Sequence, residues 1–450
     1  MARSAEEIVK IAMGRGFDEA VANVFTYRVS YLKIANSAVD SIVTKLENTA
    51  NLFVSGKKRV FFTNIDRVED GNIASAIKVA KETIPMLKPK EDYNGIVEGP
   101  FSYECKCIYQ KKMANFDNKM MSDIAYAAIN SALESGADSI AGTLEMTDFT
   151  KEMATSKDAA GTEKCAFARL SLRVFRKGLS AQKVVATKKI GEIKPEALGR
   201  TTTELASLTN EKGKVSNGNY DIIYMQQPAG LLLADVNDMA CIGSVETGGF
   251  LTGKLHKEVA NKNIKIYDDG KSPELIATSD FDDEGYPTQK TTLIEGGKLR
   301  GYLHNHSTAV KYKTKSTGNA GLVLPESNAF VMEHKKKARD IDALIRKIDR
   351  GILVTNTWYT RYSDYLVGNF STVPRDAAIY IENGEPKFAI KQLGHTSGTG
   401  IRISDNIIRM LKNTECAADD SMQTASWDSG SNYYVTPSVL VRGVDVTVAH

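Results

Sequence analysis

Apolar positions recur every three to four residues at the start of the chain. Ile8, Ile11 and Ala12 share a helical face behind the capping box Ser4-Ala5-Glu6-Glu7, and Gly14 and Gly16 close that helix. Residues 19–35 and 47–64 read as strands rich in Val, Phe, Tyr and Ile, with Gly56-Lys57-Lys58 as a hairpin turn. The spacing of Ile73, Ile77, Val79, Ala80 and Ile84 predicts a second helix from Ile73 to Leu87, its end marked by Pro85 and Pro89. Residues 88–104 carry Pro, Gly and charge and read as a connector. The pattern then returns. A helix is predicted over 115–135, ending at Gly136, then strands over 138–154, 165–176 and 181–188, and a helix over 195–208. Two helix-and-sheet units thus follow one another, a loose repeat of architecture without sequence identity.

The polar run Thr209 to Asn219 is the expected domain boundary. Before it lies an N-terminal domain over 1–210. After it lies a β-rich domain over 215–450, in which strand signals recur between Gly-rich turns. Helices are predicted there over 229–243, 339–350 and 403–412. The predicted fold class is α+β: helices on antiparallel sheet first, then a β-rich domain with short helices.

Composition narrows the field. The 450 residues are 42% hydrophobic and 25% charged, which is ordinary soluble composition with room for two cores. A net charge of +3 argues against a dedicated nucleic-acid binder. The dense basic run, His334 to Arg339, reads as the solvated first turn of the helix predicted from 339. The N-terminal stretch carries acids and no continuous apolar core, so no signal peptide is expected. No apolar run nears the roughly 18 residues of a membrane span. Five cysteines, an odd and sparse count, fit a reducing cytoplasm with free thiols. Cys105-Lys106-Cys107 has no second pair for a zinc site and reads as two neighbours on one strand face.

Candidate chemistry concentrates between Ser279 and Ala320. Asp280, Asp282, Asp283 and Glu284 put four carboxylates into five residues, closed by Gly285. Such a cluster serves a cation, a basic partner or, most commonly, a solvated loop. A strand, a Glu295-Gly296-Gly297 turn, a second strand and a Ser316-Thr317-Gly318-Asn319 corner follow. Asp282-Asp283-Glu284-Gly285-Tyr286-Pro287-Thr288, Leu293-Ile294-Glu295-Gly296-Gly297 and Thr317-Gly318-Asn319, in that order, closely resemble the C-terminal domain of the TldD/PmbA family. That family is named for modulation of DNA gyrase and implicated in peptide maturation and proteolysis. Gly368-Asn369-Phe370-Ser371 and Ile381-Glu382-Asn383-Gly384 extend the likeness, which runs from about residue 215 to the end.

The resemblance implies where a metal belongs. In the family's catalytic subunit, a helix bearing His-Glu-x-x-x-His holds the ion and supplies a base, and a Gly-Cys-Gly-Lys-like loop adds a Cys ligand. Here, matching Leu232 and Leu233 to the family's paired leucines puts Ala234 and Met239 at the histidines and Asp235 at the glutamate. No histidine precedes His256. Ser421 to Pro437 contains no cysteine, and Cys416 lies out of register. The chain is therefore similar to the PmbA/TldE type of subunit, which lacks the metal ligands, and zinc or iron is expected in a TldD-like partner.

Other donors give weaker patterns. Asp235 and Asp238 at i, i+3 could hold a hard cation with Glu246. His304 and His306 at i, i+2 of a strand could chelate, with Asp282, Asp283 or Glu284 as third ligand. Cys241 reads as a small buried residue, and Met225-Gln226-Gln227-Pro228 as structural. His256 and His395 fall in loops. Gly248-Gly249, Gly296-Gly297 and the string 395–400 lack the residues of a nucleotide loop, and no Gly-x-Ser-x-Gly elbow occurs.

The expectation is a cytoplasmic PmbA/TldE-like subunit with no cofactor of its own. It would pair with a TldD-like chain as a heterodimer, or with itself, around a cavity for unfolded peptides, without nucleic-acid or membrane contact. Asp282, Asp283, Glu284 and Asn369 are expected to line or brace that cavity, with no chemical step assigned to them. The alternatives are a stand-alone metallopeptidase with a rearranged site and a non-enzymatic module that binds peptides or modulates gyrase.

Overall fold

The Ser4 hydroxyl accepts from the Glu7 amide and the Glu7 carboxylate accepts from the Ser4 amide, starting helix α1 (Ala5–Met13) with Ile8 and Ala12 buried beneath it. A computed structural model of the protein describes residues 3–104, 107–390, 400–426 and 433–448. Strands β1 (Glu19–Ala35), β2 (Ala38–Gly56) and β3 (Arg59–Ile65) follow, then helix α2 (Asp70–Thr83). The β2–β3 turn puts Lys57 and Lys58 at φ 52 and 61, the left-handed pair of a tight hairpin. β2 begins well before residue 47: its first half pairs with β1 as far as Ala35 while facing largely to solvent.

A one-turn helix, α3 (Lys111–Ala114), precedes α4 (Asn118–Glu134), β4 (Ser139–Thr155), β5 (Ala160–Arg176), β6 (Leu179–Thr187) and α5 (Pro195–Leu205). The six strands form one antiparallel sheet in the order β3-β2-β1-β4-β5-β6. β1 and β4 pair at its centre, so the two helix-and-sheet units flank a central pair in mirrored order. Alternation along β5 explains what the sheet does. Ala166, Ala168, Leu170 and Leu172 join α4 and α5 in one core, which continues into the second half through Ile223, Leu353 and Leu440. Glu163, Cys165, Phe167, Arg169 and Arg173 point the other way, onto residues beyond 270.

The second half opens with β7 (Lys212–Gly213), β8 (Gly218–Tyr224), and helices α6 (Gln226–Leu233), α7 (Asp235–Ala240) and α8 (Ile242–Glu246). Strands β9 (Ile264–Asp269), β10 (Lys290–Glu295) and β11 (Lys298–Leu299) and helix α9 (His306–Lys311) follow. β8 lies inside an 11-stranded sheet, between Arg350–Val354 and Val439–Val448. β9 and β10 belong to a separate 6-stranded sheet. The molecule is α+β, with few short helices in this half.

Three helical expectations change. The single helix over 229–243 is three short ones, because Cys241 turns extended (ψ 129) and bridges to Leu303. The helix over 339–350 is confined to Ile341–Ile345, since Arg350 begins a strand, and the one over 403–412 starts only at Ile407, after strand Ile401–Asn406. The basic run is a strand edge rather than a helical first turn: Lys336 and Lys337 reach Glu415 and Asp419 across a parallel pairing. Among the described residues no helix is long and apolar enough to cross a membrane.

Close approach of α5 to α4 depends on Gly199, where a Cβ would stand 2.3 Å from the Ala128 carbonyl oxygen. Gly199→Ala is expected to cost about 1–3 kcal/mol. Gly191→Ala, with nothing within 4 Å of the added carbon, is expected to be near neutral. Urea unfolding of the two variants checks both.

Candidate functional site

Ala234, Asp235 and Met239, the positions that the resemblance matches to the family's metal motif, lie at the end of α6 and on α7. Leu232, Leu233 and Val236 are core, while Ala234 and Met239 pack against it half-buried. Asp235 opens α7, and its Oδ2 accepts the Tyr362 hydroxyl at 2.5 Å. Burial pushes its pKa up to about 6, against that hydrogen bond. Asp238, exposed one turn on, accepts from Ser327, and Glu246 takes Lys311 and Tyr312. The three carboxyls proposed as a hard-cation set therefore each face a different partner. Ala234 and Met239 offer no imidazole, and Asp235 is already hydrogen-bonded. Among the described residues no group of three or more His, Cys, Asp or Glu side chains is arranged to hold a metal ion. The donors at this position do not fit the ion.

His304 and His306 do not lie on a strand. Asn305 between them is the N-cap of α9, its Oδ1 accepting from the Thr308 amide, so the two rings start a helix instead of sharing a strand face. His304 contacts Thr308 and the Tyr312 ring, and burial pushes its pKa down to about 4. His306 gives its backbone N–H to Glu284, and burial lowers its imidazole too. A chelating pair with Asp282 or Asp283 is not formed.

The acidic segment is an interior loop instead of a solvated one. Asp282 and Glu284 are 6% and 4% exposed, and Phe281 between the acids is fully buried. Asp282 accepts three backbone amides, from Glu284, Tyr286 and Ala320, at 3.1, 2.8 and 2.9 Å. Burial nevertheless raises both the Asp282 and the Glu284 carboxyl. Asp283 pairs with Lys151 of β4 at 2.9 Å. Burial alone would lower the Lys151 amine, but the charges of Asp283 and Glu163 outweigh it and raise it. Ser279 and the Asp280 amide bind Glu163 of β5, and Asn23 of β1 reaches the Asp283 carbonyl. Gly285, at φ +86, leaves no room for a Cβ against Met153 and Ala159. The segment thus seats the second half on the polar face of the first sheet.

A buried hub missed in the sequence joins this loop to α7. Asp268 of β9 accepts from Asn237 of α7, from Asn319 and from both the side chain and backbone of Asn328. Burial pushes its pKa up to about 6. Asn319 belongs to the Thr-Gly-Asn corner, and Ala320 beside it holds Asp282. The available signal was the pair Asp268-Asp269 at the end of an apolar strand. Tyr362 carried no comparable signal, since it arrives from a strand over a hundred residues away.

Asn369 lies apart from the acidic loop. It accepts from Asn406 and lines an open pocket of about 630 Å³ with Arg402, Asp405, Arg409 and Asp445. Cys416 is buried on strand Thr414–Ala418, and Cys241 is buried as read from the sequence. Cys105, Lys106, His395 and most of the 395–400 string lie outside the described residues, as do positions 427–432 of the C-terminal loop.

Comparison with known proteins bears on this geometry. The model of the PmbA/TldA metallopeptidase C-terminal domain matches residues 217–448. An uncharacterized protein of Methanocaldococcus jannaschii is 22% identical over 84% of this chain and 88% of its own. The metalloprotease TldD homolog of Buchnera aphidicola is 27% identical over 48% of this chain and 45% of its own length. The metalloprotease PmbA homolog of Haemophilus influenzae is 26% identical, with the same two shares. The chain thus matches less than half the length of these two metalloproteases. The crystal structure of TldE from Thermococcus kodakarensis superposes with a TM-score of 0.82 at 19% identity, covering 98% of this chain and 99% of that one. A Thermotoga maritima chain solved as a candidate modulator of a DNA gyrase gives 0.83 at 20% identity, with the same coverage. At these identities the likeness of structure shows the fold.

Asp235 makes stability depend on pH. Its folded pKa of about 6 lies above the ordinary carboxyl value near 4. The folded chain therefore holds a proton that the unfolded chain releases, and the contribution is present below about pH 4 and lost as pH rises through about 6. Asp235→Asn should be more stable than the parent by up to about 2 kcal/mol at pH 7.5 and equal to it near pH 4. Denaturant unfolding at the two pH values checks this.

Proposed function

The chain belongs to the PmbA/TldD metallopeptidase family, and on that premise we propose that it is a PmbA/TldE-type subunit of a peptidase complex. In this reading a TldD-like partner supplies the metal, and this chain completes and braces a cavity for unfolded peptides. The observation that carries the proposal is the donor set at the family's metal position: Ala234, Met239 and an Asp235 already held by Tyr362. No cleavage step is assigned to a residue of this chain.

The surface around that position supports a partner. Tyr362 lies on strand Thr357–Asp364, at one edge of the larger sheet. The same strand and the turn after it expose Tyr359, Tyr365, Leu366 and Val367, with Leu366 at 61%. Leu366 reaches back to Gly248, just beyond α8. Clustered exposed apolar side chains beside a sheet edge suit a protein contact or an added peptide strand. In the same proposal the boundary falls within 209–219 between domains 1–210 and 215–450, and the complex works in the cytoplasm, where the free thiols persist. Asp282, Asp283 and Glu284 brace the cavity from inside, through the seat on β4 and β5, and Asn369 belongs to a separate surface.

Metal analysis by mass spectrometry of the purified chain, run beside cleavage of an unfolded peptide, tests this. The expected result is no stoichiometric zinc or iron and no cleavage alone, with cleavage appearing on addition of the TldD-like chain from the same genome. One bound metal with chelator-sensitive cleavage by the chain alone would overturn the proposal. Ala234→His combined with Met239→His should leave the isolated chain inactive, because Asp235 stays bound to Tyr362 and supporting groups are absent. Robust metal-dependent cleavage by that double variant would sink the reading of the site.

A further inference from the structure

Lys188, the residue after β6, is wholly buried, yet among the described residues it forms no ion pair with a carboxylate. Its ammonium instead donates to Cys107 Sγ at 3.0 Å. A buried cation without a counter-charge costs several kcal/mol. A neutral thiol is a weak acceptor, whereas a thiolate supplies the missing charge. Cys107 stands on the connector between the two sheet units and is half-buried. Cys165, on the buried face of β5, belongs to the apolar cluster against which Cys107 packs. Phe167, Val184, Ala186 and Ile276 enclose the pair, with Tyr433 packed against them. The hydrogen bond from Cys165 and the charge of Lys188 hold the Cys107 thiol below its ordinary range, against burial and the more distant Glu163. Cys165 is shifted upward by that same contact and by burial. A lowered thiol that is only half-buried can meet a small disulfide, and a second thiol behind it can then resolve the mixed disulfide.

We propose that Cys107 and Cys165 form a lysine-activated dithiol site that reacts with low-molecular-weight disulfides and closes reversibly into a Cys107–Cys165 disulfide. The Cys107 thiolate attacks one sulfur of RS–SR, the S–S bond breaks, and RS⁻ leaves and takes a proton from solvent. Cys165 then loses its proton to solvent, and its sulfur attacks Cys107 Sγ of the mixed disulfide, expelling the second RS⁻, which is protonated in turn. Two protein thiols are oxidised and one disulfide is reduced to two RSH. Closure strips Lys188 of its counter-charge, so the disulfide is readily reduced again, as a reversible site in a reducing compartment requires.

The test treats the reduced full-length chain with mixtures of oxidised and reduced glutathione and maps the products by mass spectrometry without reduction. The expected product is a Cys107–Cys165 cross-link that reduced glutathione reverses. Cys165→Ser should stop at one glutathione on Cys107. In the unmutated chain, the pH midpoint of Cys107 alkylation should lie below the ordinary thiol value of about 8.5. Lys188→Met should slow alkylation at pH 7 by roughly tenfold, the reactivity following the thiolate fraction. A stable mixed disulfide on Cys107 in the unmutated chain would overturn the proposal. So would a cross-link through Cys105, Cys241 or Cys416, or an alkylation midpoint at the ordinary value. The midpoint is read without mutation, so it decides even if Lys188→Met fails to fold.

Discussion

Carboxylates leave water only when donors replace it, and residues 279–286 are where this chain meets that requirement at its largest internal junction. Three amides hold Asp282, Lys151 takes Asp283, and Glu163 takes Ser279 and Asp280. None of these contacts tolerates a shift of register, because a strand moved by one residue would turn its polar row away. The polar face of the first sheet follows from the same need. Glu163 and Lys151 are inward-facing charges that would be costly alone and are matched by the arriving loop. The junction therefore specifies how the halves fit as much as it stabilises them.

From that seat, hydrogen bonds continue to α7. Ala320 holds Asp282, and Asn319 beside it holds Asp268, which also holds Asn237 of α7. The family's Asp-Asp-Glu-Gly and Thr-Gly-Asn motifs are thus two ends of one hydrogen-bonded frame under the α6–α7 segment. This separates the motifs that mark the fold from the residues that would perform a reaction.

Much of the first half was legible from periodicity. Both units, the Ser4 capping box and the hairpin at Lys57 and Lys58 follow from local spacing and turn chemistry. Residues 38–46 were not legible, since that part of β2 is largely solvent-facing and carries no buried row. The acidic run misled for the opposite reason. Its composition matches a solvated loop, and only partners over a hundred residues away, Lys151 and Glu163, turn it inward. His304 and His306 show the limit of pairwise spacing: the same i, i+2 pair reads as a chelate on a strand and as a cap on a helix, and Asn305 decided for the helix. At the candidate site, the clasp that Tyr362 places on Asp235 is tertiary and left no trace in the local sequence.

The cations on the inner face of the first sheet obey one rule. Lys151 meets Asp283, Arg169 meets Glu145, and Arg173 meets Asp376, at 2.9, 2.9 and 2.6 Å. Each pair balances charge where water is scarce, and two of the three reach across to the second half. Lys188 is more buried than any of these and meets sulfur instead. A sheet that neutralises its other inward cations with carboxylates has the means to neutralise this one in the same way. Its counter-charge is instead one that oxidation removes, so this contact alone in the series is chemically reversible. It also lies on the connector, which is fastened nearby by a backbone bond from Ile108 to Pro273 at 3.4 Å, by Tyr109 on Asp148 and by the Ile190 amide on Gln110. The junction therefore combines permanent ion pairs through the acidic loop with a neighbouring contact whose charge depends on the redox state of two thiols.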